Sequence, residues 1–233
     1  MPQAGSAPRR APTEVELEVT QAVLRGLVHA LGNRTAAVIA VAGVLEPDAP
    51  ADAELVRALA AEGRRLHAIV RLLRWLSPEW SARAEPVALD ELLPDVVSLH
   101  AHHPELRGVP CFAECAADVP PLRLLRTPLA QALLVLVVGS ARRAAAPRAA
   151  GVEDAQVVLR CAAAGPDVRV TVTAPATASV LSPADEYAAA ARHLLAPNPW
   201  WEDDRCALRA SGDAAEYELR VPTLAEVRRR EKG

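Results

Sequence analysis

His29 and Asn33, four residues apart, form the pair in this 233-residue sequence with the clearest chemical promise. On a helix, side chains at that spacing stack on one face, so the amide can reach the imidazole or an oxygen bound to it. A neutral imidazole is a good nucleophile near neutral pH, and it accepts a phosphoryl group when a phosphorylated partner can reach it. Arg25 and Arg34 flank the histidine and can hold the added negative charge. Gly26, Ala30, Gly32 and Ala37 are small, which leaves room for another protein's loops to approach the ring.

Other candidates read more plainly. Cys111 and Cys115 lie close to His100, His102 and His103, which raises a zinc site. The spacing matches no standard zinc signature, and Cys111, Ala113 and Cys115 alternate as one face of a strand, so we read them as small apolar residues. The four cysteines form no CxxC pair, and the chain is large enough to fold without disulfides, which favours a reducing, cytoplasmic setting. His67 sits beside Leu66 on a helical stripe and reads as partly buried packing. Trp75 and Trp80 bracket a linker and read as a seal between two domains. Trp200 and Trp201 read either as a docking surface or as packing over a cavity.

The elements that must position His29 follow from hydrophobic period. Leu17, Leu24, Leu31, Val38 and Leu45 recur every seven residues, which predicts one long helix with a bundle seam. With Leu24 and Leu31 at position a of the heptad, His29 falls at f, away from the seam. EPDAPAD (46–52) breaks this helix, and Asp52 is the expected N-cap of a second one reaching Leu76, striped by Leu55, Leu59, Leu66, Ile69 and Leu73. Two such helices form an antiparallel hairpin that cannot bury both stripes alone. A homodimeric four-helix bundle is the expected solution. Beyond a linker the period becomes mixed. Helices are expected at 89–100, 128–145 and 184–195, and strands near 109–115, 156–162, 168–173, 206–210 and 216–221. The expected organisation is a tail (1–12), the hairpin (13–77), a linker (78–86), an α+β domain (87–222) and a solvated tail (223–233).

Composition removes several function classes. A net charge of −3 without a basic, aromatic-laced stripe gives no case for nucleic acid. The longest apolar run, about 129–138, is too short to span a bilayer, so no membrane partner is expected, and the N-terminus lacks a signal-peptide apolar region.

Five segments, in order, resemble the core of bacterial histidine kinases: HALGNRTAAVIAVAGVL (29–45), RRLHAIVRLLRWLS (64–77), EPVALDELLPDVVSL (85–99), TPLAQALLVLVVGSARRA (127–144) and AEYELRVP (215–222). The resemblance spans roughly residues 20–222. It implies a dimerisation and phosphotransfer hairpin followed by a GHKL-type (Bergerat) α/β sandwich, and it marks His29 as the phospho-acceptor with Asn33 supporting it.

The departures from the family are equally specific. Where the family carries magnesium- and phosphate-binding asparagines, this chain has Val135, Gly139 and Ser140. Ala174 stands at the place of the acid that reads adenine, and Ala176 and Ala178 stand where glycines belong. No glycine-rich lid follows. The expectation is therefore a degenerate ATPase domain with no ATP or other cofactor. Ala30 replaces the acid after the histidine, and Arg34 replaces the usual proline, which should leave the helix straighter. The leading expectation is a histidine phosphotransferase that relays phosphate between response-regulator receiver domains, which supply their own magnesium. The alternative is a pseudokinase module that regulates a kinase or receiver without chemistry. An ATP-dependent kinase fits worst.

Overall fold

The computed structural model describes residues 10–44, 52–77, 83–149, 151–152, 155–175, 185–198, 201–211 and 214–230. Helix α1 (Pro12–Gly43) runs unbroken past Arg34, and α2 (Ala53–Leu73) continues into a 3-10 turn at Arg74–Leu76. The Asp52 side chain accepts from the Glu54 amide at 2.8 Å, as its expected capping role requires. Leu45, Trp80, Ala176, Ala178 and Trp200 lie outside the described residues.

The second half begins with β1 (Glu85–Val87), α3 (Leu89–His100), β2 (Cys111–Cys115) and β3 (Leu122–Leu124). It continues with α4 (Arg126–Ala149), β4 (Val157–Ala164), β5 (Asp167–Pro175) and α5 (Glu186–Leu195). It ends with β6 (Cys206–Ser211), β7 (Ala214–Pro222) and α6 (Leu224–Arg230). Strands β2-β4-β5-β7-β6 form a mixed sheet in that order, in which only β2 and β4 run parallel. Val168, Val170, Val172 and Ala174 on β5, with Ala215, Tyr217, Leu219 and Val221 on β7, point inward at the period of two a half-buried sheet requires. The opposite face carries ion pairs, among them Arg160–Glu114 at 2.7 Å and Arg220–Glu218 at 2.7 Å. This is the expected α+β architecture. Helix α4 is buried on nearly every side from Leu129 to Ala141, which explains why its sequence is apolar almost throughout.

Several expectations need adjustment. The linker ends early, because Glu85 and Pro86 already pair with β3, a strand too short to stand out in the sequence. Helix α4 starts at Arg126 and runs to Ala149, a little beyond the expected 128–145 at both ends. The C-terminal segment forms the expected helix end but is not simply solvated, since Val227 and Glu226 are buried. His67 is exposed, because it points away from the face that meets α1. Ala113 is exposed as well, since β2 is a sheet edge.

The main surprise is how α1 is used. Val15, Val19, Val23 and Leu27 are buried in the same core as α4 and α5, so the first half of this helix packs on the chain's own second half. Glu18 joins Arg10 and Arg142, Arg10 reaches Glu186 at 3.0 Å, and His193 reaches Glu16 at 3.5 Å along the same seam. The heptad residues Leu17 and Leu24, and Val28 beside them, stay exposed. Trp75 takes up its expected sealing position: its indole donates to Asp95 at 3.1 Å, Arg126 stacks over its ring, and its carbonyl accepts from Gln131.

Candidate functional site

His29 and Asn33 are both exposed on α1, and Asn33 Nδ2 lies 3.2 Å from His29 Nε2. An amide NH donates, so Nε2 presents its lone pair and a neutral ring holds its proton on Nδ1. The contact orients the ring and makes Nε2 the nitrogen that Asn33 engages. The i, i+4 spacing alone gives this contact, because α1 is regular here.

His29 does not stand on an open helix face. It lies in a groove of about 760 Å3 whose α1 wall includes Arg25, Asn33 and Arg34. The facing wall comes from the turn after α3 and includes His102 and Arg107. Gly26 explains the closeness of the two walls. A Cβ at this position would sit 2.8 Å from the His102 carbonyl carbon and nearer still to its oxygen, so only glycine fits. Gly26 is therefore covered by the chain's own backbone, whereas Gly32 faces open space. Ala30 is half-buried against the core, and Ala37 is half-buried farther along α1.

The two arginines flagged beside the histidine differ. Arg34 Nη1 lies 3.4 Å from Glu62 of α2, a carboxylate that Arg65 also pairs with. Arg25 has no carboxylate partner among the described residues, and neither does Arg107. No motif in the sequence links Arg107 or His102 to His29; only the docking of the second half on α1 brings them together.

The histidines of the 100–103 segment serve the fold. His100 and His103 are buried, with His100 Nε2 3.2 Å from the Val109 carbonyl and His103 Nδ1 accepting from the Leu106 amide. Burial lowers the pKa of both, and that of half-buried His102 as well. Cys115 instead faces Cys161 across β2 and β4, with the sulfurs 2.6 Å apart. Burial pushes the Cys111, Cys161 and Cys206 thiols up to about 12, which makes them inert at neutral pH. Among the described residues no three metal-ligating side chains converge.

The positions at which the resemblance expects nucleotide ligands are packed among side chains. Val135, Ser140 and Ala174 are buried, and Gly139 is closed over by the Tyr187 ring and the Tyr217 hydroxyl. Behind them Arg143 donates to Tyr217 at 2.6 Å and pairs with Asp185, which also accepts from Tyr217 at 2.8 Å. No local spacing points to this buried triad, whose members come from α4, β7 and the residue that caps α5. Half-buried Trp201 packs against the same core.

No protein-family model matches the chain, and no curated protein matches it in sequence. Solved structures resemble it in fold. The catalytic domain of histidine kinase ThkA is 14% identical, covers 60% of this chain and 97% of that one, and gives a TM-score of 0.46. A bacterial phosphotransferase is 12% identical over 87% of this chain and 95% of its own, with a TM-score of 0.40. A histidine kinase from Burkholderia phymatum is 18% identical over 91% and 97%, with a TM-score of 0.41. The chain is thus similar to histidine kinase cores, and at these identities the similarity is one of fold.

Proposed function

We propose that the chain is a histidine phosphotransferase that passes phosphate between response-regulator receivers through His29 and binds no ATP. The observation that carries this reading is an exposed imidazole, held by Asn33 at Nε2, inside a groove edged with arginine. In the transfer, Nε2 attacks the phosphorus of a receiver's aspartyl phosphate and the P–O bond to the aspartate breaks. The exposed ring then loses its Nδ1 proton to solvent water, and the Asn33 amide moves to a phosphoryl oxygen. The receiver supplies magnesium and its own carboxylates. Exposed Leu17, Leu24 and Val28 support a homodimer in which a second copy covers this stripe and completes the four-helix bundle.

Ala30 supports the competing pseudokinase reading, since it puts no carboxylate beside the ring. Labelled phospho-receivers incubated with wild type and His29→Ala decide between them. Label on the wild type that His29→Ala abolishes, with the dimer intact, supports the relay. A receiver that binds tightly yet labels neither protein supports the pseudokinase. Magnesium-nucleotide calorimetry giving micromolar affinity would refute the ATP-free reading.

A further inference from the structure

The groove around His29 has two walls, and the second comes from the ATPase-like half. Arg25 on α1 and Arg107 on the turn after α3 both line it without a carboxylate partner among the described residues. Arg34, in contrast, is drawn toward Glu62. His102 stands on the second wall beside Arg107, half-buried, with its backbone wedged against Gly26. Burial lowers the pKa of this imidazole, so at neutral pH it is uncharged and able to donate one hydrogen bond. Two unpaired guanidinium groups and a neutral donor facing one cavity suit a dianionic phosphoryl group, whose oxygens accept charge-assisted bonds.

We infer that Arg25, Arg107 and His102 form an interdomain phosphate clamp, so that a phosphoryl group on His29 is held by both halves of the chain at once. This rests on the phosphotransferase reading for its biological use, but the anion pocket itself does not require it. Phosphorylation then strengthens the docking of the second half on α1, and a receiver must displace or share Arg107 to take the phosphate. Arg107 is a positioning residue here: it orients oxygens and does not exchange a proton.

Two measurements on the full-length protein separate the clamp from the relay. In the first, inorganic phosphate is titrated into the unphosphorylated protein while histidine ring resonances are followed. His29 and His102 should shift together with one saturation curve. Arg25→Gln and Arg107→Gln should each weaken binding about tenfold, the effect of losing one charge-assisted contact of about 1.4 kcal/mol. Arg64→Gln on α2 should leave it unchanged. Binding that Arg107→Gln leaves at wild-type strength, or shifts confined to His29, would overturn the clamp.

In the second, potassium phosphoramidate is the donor. Nε2 of His29 attacks phosphorus, the P–N bond to ammonia breaks, and the released ring proton leaves with ammonia as ammonium. Phosphorus resonances then report the second ionisation of the phosphohistidine. Removing Arg107 should raise its midpoint by about one pH unit, since a nearby cation favours the dianion. An unchanged midpoint refutes the clamp. Phosphate titration that behaves as expected while phosphoramidate labels wild type and His29→Ala alike refutes the relay instead.

Discussion

Gly26→Ala tests whether the second half of the chain really seats on α1. In a free helix this change is favourable, because alanine is better than glycine in a helix interior by about 0.5–1 kcal/mol. At position 26 the new methyl would meet the His102 backbone, with the carbonyl carbon at 2.8 Å and the oxygen nearer, against a limit of 3.0 Å for real Cβ contacts. The obstacle is backbone and cannot rotate aside, so the 101–107 turn must retreat by more than about 1 Å. Overpacking of this kind typically costs about 1–3 kcal/mol, which outweighs the helical gain. Gly32→Ala is the matched control, since nothing lies within 4 Å of a Cβ there and the helical gain stands alone. Thermal and urea melts should show Gly32→Ala more stable than wild type and Gly26→Ala less stable, with a spread of about 1–3 kcal/mol between them. Hydrogen exchange should show protection lost in 101–107 for Gly26→Ala alone. If both variants gain equal stability, the docked arrangement is wrong, and the second wall of the His29 groove goes with it.

Other consequences are equally direct. Buried His100 and His103 have pKa values below the unfolded value of about 6.5, so the unfolded chain binds more protons in acid. Stability should therefore be full above that pH and fall as pH drops through it, by up to about 1.4 kcal/mol per pH unit for each group that stays neutral. For His103, His100 and Arg142 add to the burial effect while Glu105 and Glu18 oppose it. A flat stability profile between pH 7.5 and 5 would contradict this. Leu24→Glu with Val28→Glu places two charges on the exposed stripe and should convert the proposed dimer to a folded monomer by light scattering, because neither side chain packs in the chain's own core. Asp185→Ala leaves Arg143 buried without its carboxylate, and should cost about 3–5 kcal/mol, or roughly 10 °C in melting temperature. Asn33→Ala removes the group that orients the ring, and on the proposed relay should slow labelling of His29 several-fold while leaving the oligomeric state in light scattering unchanged.

Local pattern was enough for much of this protein. The Asp52 cap, the α1–α2 hairpin, the α3 span and the His29–Asn33 contact follow from short-range spacing on regular elements, where the helical repeat sets which side chains meet. The core strands were legible because Val168, Val170 and Val172 alternate with polar residues. Strands β1 and β3 were not, because three residues carry too little pattern. Docking was beyond the sequence for a different reason. Helix α1 carries two apolar faces, one through Leu17, Leu24 and Val28 and one through Val15, Val19, Val23 and Leu27. Period alone cannot say which face meets which neighbour. The tertiary fold put the second face against α4 and α5, seated the His102 backbone on Gly26, and so brought Arg107 to the groove of His29. Contacts between residues this far apart in the chain depend on shape complementarity between completed elements, and no local stretch of sequence encodes that.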